Sequence, residues 1–269
     1  LAFLVGSNGG FALGEGIGVL EIEGVVADAQ PILEALVKFR RSGKIKAIVI
    51  RVDSPGGGVA PTQEIFREIQ RTKQEKKVIA SLGNIAASGG LYLAAPADKI
   101  LANPATVTGS IGVIMQMVNV EDLMSKVGFR SIVIKSGKYK DMGSATRTMT
   151  DDEKQLLQQV VDRLHRQFVK DLAESRKLAV EKVAGLADGR IFTGEEALEL
   201  GLVDALGNFQ DAVALAGKMA GLKGPVRLIR PEKKDSWWKH LLSGQSSLSL
   251  LPEWLEHPLR FQYLYLPNL

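Results

Sequence analysis

Three times before residue 90 the chain runs from an apolar, β-branched stretch through a glycine into a segment of helical spacing. The apolar stretches are "GIGVLEIEG" at 16–24, "KAIVIRVDSPGGG" at 46–58 and "KVIASLGN" at 77–84. Between them, "AQPILEALVKFRRSG" carries Ile32, Leu33, Leu36, Val37 and Phe39 and stops at Gly43, and "TQEIFREIQRTKQE" carries Ile65, Phe66 and Ile69. Strands that are apolar along nearly their whole length are buried on both faces. Helices between them are the crossovers that parallel strands require. The order therefore predicts an α/β fold built on a mostly parallel sheet with right-handed connections.

Beyond residue 85 the elements become shorter. "ASGGLYLAAPA" reads as a helix of small residues, "KILANPATVTGSIGVIM" as further short strands, "VEDLMSKVG" as a short helix and "RSIVIKSG" as a strand. Thr150 precedes Asp151, Asp152 and Glu153, a capping box that opens what should be the longest helix. From residue 230 the chain mixes charge, serine and aromatics without a dependable period, so 230–269 reads as an appended tail, with one amphipathic helical turn near Trp237. Its Trp237, Trp238, Trp254, Phe261, Tyr263 and Tyr265 have three possible resting places: a neighbouring subunit, a membrane interface, or the substrate groove as a self-inhibiting peptide.

Composition removes several function classes. With 269 residues, 45% of them hydrophobic, the chain can bury a substantial core. It has no cysteine, which excludes disulfides, thiolate nucleophiles and cysteine-bound zinc. The net charge of +4 is spread along the sequence, which argues against a nucleic-acid partner. The opening "LAFLVG" is too short to span a bilayer, which takes about 20 apolar residues. Residues 1–15 read as a membrane-proximal linker or the stump of an anchor, and 16–229 as the main domain.

The candidates for chemistry lie in two glycine-rich turns, "DSPGGG" at 53–58 and "AASGG" at 86–90, each after an apolar strand. Open sheets gather their sites at the carboxyl ends of parallel strands, so both turns should reach one edge. Their backbone N–H groups can converge on a developing oxyanion. "SPGGG" lacks the Lys-Ser or Lys-Thr of a phosphate loop. Ser88 is either a helix cap or a nucleophile, and as a nucleophile it needs a base. His165, His240 and His257 carry no triad signature. Lys135, Lys138 and Lys140 lie in "IVIKSGKYKDMGS" at 132–144, and physics alone does not choose among them.

"DSPGGG", "GNIAASGGLYLAAPADKI", "TGSIGVI", "IKSGKYKDMGS" and "DGRIFTGEEALELGLVDALG" together resemble, in order and spacing, the short single-repeat form of the signal peptide peptidase A family, peptidase family S49. The resemblance spans Gly16 to Ala220. It implies a crotonase/caseinolytic-protease-like spiral of ββα units with a helical C-terminal part. It also implies a Ser-Lys dyad, with Ser88 as nucleophile, Lys140 as general base, Ser110 orienting the lysine, and Gly57 and Gly89 forming the oxyanion hole. Asp141, beside Lys140, is expected to point away from it as a loop acceptor. Leu91, Val107, Ile111 and Val113 are the candidate pocket lining for apolar, signal-peptide-like substrates.

No metal or cofactor is implied. The same resemblance implies an octameric ring with dyads shared between protomers, N-terminally anchored in the cytoplasmic membrane with its catalytic domain on the outer side. "IFTGEEALELGLVDALG" also fits crotonase-type enzymes acting on acyl-CoA, and a membrane-tethered scaffold with an inactive site is a third reading.

Overall fold

The computed structural model describes residues 15–231 and 261–264. In chain order the elements are β1 (Gly16–Glu23), α1 (Gln30–Arg41), β2 (Ile45–Ser54), β3 (Gly56–Gly58), α2 (Val59–Thr72), β4 (Lys77–Ala87), α3 (Gly89–Ala94), β5 (Lys99–Ala102), β6 (Val107–Gly109) and β7 (Ile114–Met115). Then come α4 (Glu121–Lys126), α5 (Asp151–Arg176), α6 (Val180–Leu186), β8 (Ile191–Phe192), α7 (Gly194–Leu200), β9 (Ala205–Leu206), α8 (Phe209–Met219), β10 (Arg227–Ile229) and β11 (Phe261–Leu264).

The main sheet has eight strands, with the path β10-β1-β2-β4-β5-β9 and β6 and β8 branching from β4. Every pair along that path is parallel, and only β8 runs antiparallel, against β6. Strand alternation decides which side chains meet which helices. Ile17, Ala47, Val49 and Ile79 face α8 and pack on Ala212, Val213 and Ala216. Their neighbours Ile48, Ile50, Val52, Val78, Ala80 and Leu82 face the opposite way, into a larger core with Leu36 and Phe39 of α1, Ile65, Phe66 and Ile69 of α2, and Phe168 of α5. Burial on both faces accounts for the unbroken apolar runs in the sequence. The helices follow from their own stripes, with Ala35, Leu36 and Phe39 forming the buried side of α1.

α5, at 26 residues, is the longest helix, and Thr150 and Glu153 close the expected capping box at its start. Two readings need correction. Residues 130–137 form no strand, and Ile132 and Ile134 stand 88% and 98% exposed. Alternating β-branched residues favour an extended chain, yet a strand also needs a neighbour to hydrogen-bond, and among the described residues none pairs with this segment.

The second correction concerns the tail. Its residues Phe261–Leu264 form β11, which pairs antiparallel with both β3 and β7 in a small second sheet. The helical turn expected near Trp237 and the apolar opening of the chain lie outside the described residues.

Candidate active site

β4 ends at Ala87 and α3 begins at Gly89, so Ser88 is the single residue on which the chain reverses. Its dihedrals, φ 52° and ψ −117°, lie where a side chain is strained, a cost of roughly 1–3 kcal/mol that persists only when surroundings enforce it. Here they do. The Ser88 N–H donates to the Gly109 carbonyl at 2.8 Å, and the Ser88 carbonyl accepts from Tyr92 N–H at 2.9 Å. The Ser88 side chain does not cap α3. The hydroxyl is thus carried on a strained strand-to-helix turn with no capping task.

Ser110 comes to the same place by register. β6 lies parallel to β4 with Ala87 opposite Gly109, so Ser88 and Ser110 are the next residues on neighbouring strands. Ser110 also has positive φ, 48°, and its N–H is tied to the Arg190 carbonyl at 2.7 Å.

The two glycine turns meet, as the sequence reading expects. Ser54 Oγ donates to the Gly24 carbonyl at 2.6 Å and accepts the Gly56 N–H at 3.1 Å, shaping the bend before β3. Gly56 sits at φ +104°, and a Cβ built on it would fall 2.7 Å from the Gly89 nitrogen, so only glycine lets these turns touch. Val26 takes up one edge of β3, donating to the Gly56 carbonyl and accepting from Gly58 N–H. By strand alternation the amide of Gly57 faces the other edge, where Tyr263 of β11 is its register partner. A Cβ on Gly89 would lie 2.9 Å from the Tyr263 carbonyl oxygen. Strand β11 therefore lies along β3 with its Tyr263 carbonyl beside Gly57 and Gly89.

The Tyr263 side chain is fully buried. Its ring packs on Phe168 at 4.7 Å and Tyr92 at 5.2 Å between centroids, and its hydroxyl donates to the Leu164 carbonyl at 3.1 Å. Tyr92 in turn stacks on Phe66 and donates to the buried Asp171 at 2.5 Å, and Arg67 reaches Asp171 at 3.2 Å. Burial pushes the Tyr263 and Tyr92 phenols up, so both stay neutral donors.

Sequence reasoning misses this aromatic pocket. Of its four lining candidates, Leu91 and Ile111 are fully buried in the main core, and Val107 and Val113 are half-buried. The one legible signal for the pocket is Tyr92, a large polar-tipped ring in an otherwise small and aliphatic helix beside Ser88.

The lysines separate by their partners. Lys135 pairs with Asp141 at 2.5 Å and Lys138 with Asp152 at 2.6 Å. Lys140 is exposed, and among the described residues no hydrogen bond or ion pair engages its ammonium. Asp141 turns away from it and accepts from Lys135 and Arg147 instead. Ser88 is only 1% exposed, and within this one chain it has no hydrogen bond to Lys140.

Arg147 also bridges to Glu153, holding that carboxyl at about 2, chiefly through the guanidinium hydrogen bonds. A carboxyl lowered in the folded state stabilises above its unfolded value, near 4.5, and loses that contribution as pH falls through about 2. Acid titration followed by amide hydrogen exchange of residues 141–153 is therefore expected to report loosening of this region across this window. A signal flat from pH 5 to pH 2 would contradict it.

Among the described residues no cluster of three or more His, Asp or Glu is arranged to hold a metal ion, and no helix is long and apolar enough to cross a membrane. Asp53, at the mouth of the first turn, accepts the N–H groups of Asn84 and Ile85, a structural task.

The parallel sheet with its crossover helices and the two touching glycine turns place the chain in the caseinolytic-protease fold group. A ClpP1 mutant from Listeria monocytogenes shares that fold at a TM-score of 0.50 and 16% identity, over 72% of this chain and 94% of the other. The Clp protease family model matches residues 19–108, and the model of peptidase family S49 matches residues 70–223. The chain belongs to peptidase family S49 and is a serine peptidase of the kind that includes signal peptide peptidase A and protease 4.

It is 44% identical to a putative protease of Synechocystis over 87% of this chain and 85% of that one. A putative signal peptide peptidase of Enterococcus faecium is 36% identical over 72% of this chain and 60% of that one. Protease 4 of Salmonella typhi is 38% identical over 68% of this chain, which spans only 30% of that protein. Membership of a peptidase family overturns the acyl-CoA reading, which rested on "IFTGEEALELGLVDALG". That segment forms β8, which pairs with β6, the capping-box helix α7 and β9.

Proposed function

We propose that this chain is an endopeptidase working through a Ser-Lys dyad on extended, apolar peptides such as remnant signal peptides. The observation that carries the proposal is β11, a peptide strand lying antiparallel on β3 with the Tyr263 carbonyl at Gly57 and Gly89. A substrate strand takes the same place. Ser88 Oγ attacks its carbonyl carbon and passes its proton to the neutral Lys140 amine. The oxyanion accepts from Gly57 and Gly89 N–H, the amine leaves with the proton, and water hydrolyses the acyl-enzyme. Ser110, on the strand beside Ser88, holds the lysine amine in line.

Lys140 comes from a neighbouring copy. Ser88 is buried whereas Lys140 is exposed, on a segment that also exposes Phe129, Ile132 and Ile134. Apolar side chains that prominent call for a covering surface, and a second copy supplies one while completing the dyad. Repetition of that contact closes a ring, in the proposal an octamer, with its concave face toward the outer side of the cytoplasmic membrane.

The test is peptide hydrolysis by the assembled enzyme carrying Ser88→Ala, Lys140→Ala, or both variants mixed after subunit exchange. Each variant alone is expected to be inactive and the mixture to recover activity, because some interfaces join an intact Ser88 to an intact Lys140. A mixture that stays inactive despite proven exchange would place each dyad within one chain. A fully active Lys140→Ala enzyme would remove the dyad, and a wild-type assembly that neither cleaves nor takes a serine-reactive probe would leave the scaffold reading.

A further inference from the structure

Lys140 carries an immediate difficulty as a general base, because the next residue is an aspartate. A carboxylate beside an ammonium favours its charged form, and a charged lysine accepts no proton. The fold meets this with a four-group clamp. Arg147 Nε donates to Asp141 Oδ2 at 2.8 Å, and Nη2 donates to Oδ1 at 2.9 Å and to the Asp141 carbonyl at 3.2 Å. The other side of the same guanidinium donates to Glu153, with Nη1 at 2.9 Å from Oε2 and Nη2 at 2.5 Å from Oε1. Glu153 is itself fixed by the Thr150 amide at 2.9 Å, and Lys135 reaches Asp141 from the opposite side.

Two carboxylates and two cations therefore balance. The side chains of Asp141 and Glu153 are 12% and 3% exposed, so the clamp is largely withdrawn from water. Nearby, Lys138 pairs with Asp152, and the Thr148 hydroxyl donates to Glu121.

We infer that Arg147 is a positioning residue for catalysis, holding the Asp141 carboxylate against the start of α5 so that the Lys140 amine is presented to Ser88 without an acidic partner. The inference rests on the Ser-Lys reading. Two observations beyond packing favour it. Arg147 uses a bidentate fork on Asp141 and a second on Glu153, which lysine cannot reproduce. The hydrogen bonds from Arg147 also hold the Asp141 carboxyl well below the usual carboxylate range, so it stays ionised and paired. Lys135 alone would not suffice, because its side chain is a third exposed and a single surface pair of that kind is weak.

The test is the pH profile of kcat and of kcat/KM for an apolar fluorogenic peptide, measured on the assembled enzyme. The variants are Arg147→Ala, Arg147→Lys, Arg147→Ala with Asp141→Asn, and Lys140→Ala as the reference. Arg147→Ala is expected to lower kcat at pH 7 by about tenfold with KM little changed, and to regain rate as pH rises by about one unit, since a tenfold loss of neutral amine corresponds to one unit. Arg147→Lys should fall between, and Asp141→Asn on the Arg147→Ala background should restore the neutral-pH rate.

A merely structural role would give a loss equal at every pH and no rescue by Asp141→Asn, and either of these overturns the inference. Should Arg147→Ala not fold, Arg147→Lys decides the matter, because a profile identical to wild type is equally fatal. An inactive Lys140→Ala enzyme beside a normal Arg147→Ala enzyme sinks this inference alone, whereas an active Lys140→Ala enzyme sinks the dyad beneath it.

Discussion

Replacing Ser88 with alanine is expected to lower kcat on an apolar fluorogenic peptide by on the order of 10⁶-fold, the scale at which loss of a peptidase nucleophile is felt. The fold should survive the change. The hydroxyl does not cap α3, and the residue is held by its backbone, through Gly109 and Tyr92. Alanine meets the same strain at φ 52° as serine does, so the melting temperature should move little. An inactive, normally folded variant is thus the expected pair of results. Residual activity above one part in a hundred would mean that another nucleophile does the chemistry.

Tyr263→Ala should act in the opposite direction, raising kcat/KM for a short peptide by roughly 100-fold while leaving saturated kcat unchanged. β11 has four residues, and Tyr263 among them is fully buried, set on Phe168 and Tyr92 with its hydroxyl on Leu164. Truncating a buried aromatic of this size costs about 3–5 kcal/mol, and each 1.4 kcal/mol is tenfold in occupancy. A strand held so locally is expected to leave the cleft. Substrate then no longer competes with a tethered occupant, so KM falls. An unchanged KM, or a kcat that drops together with the melting temperature, would show Tyr263 to be a packing residue and no guard of the cleft.

Much of the scaffold is legible without coordinates. The strands at 16–23, 45–54 and 77–87, with the helices between them, follow from unbroken apolar runs and helical stripes, because burial on both faces of a sheet leaves that mark on a sequence. The Thr150 to Glu153 capping box is equally local, its partners being three residues apart. The convergence of the two glycine turns is also expected, since parallel strands end on one edge. Where local pattern misleads, a distant partner is at issue. "RSIVIKSG" has strand composition but no strand to pair with among the described residues, whereas "FQYL" looks like tail yet finds β3 and β7 on either side.

The sequence by itself determined the α/β order, the glycine turns and the hydroxyl of Ser88, because each depends on residues a few positions apart. Only the tertiary structure decided that Ser88 is strained and uncapped, that Tyr263 lies on Gly57, and that Arg147 rather than Lys140 takes Asp141. The Ser88 and Tyr263 cases depend on pairings between segments that the chain brings together only once the sheet has formed, whereas Arg147 and Asp141 are only six residues apart, in a loop with no periodic pattern to read. Of the three lysines in one loop, identical in chemistry, Lys140 alone is left without a carboxylate among the described residues.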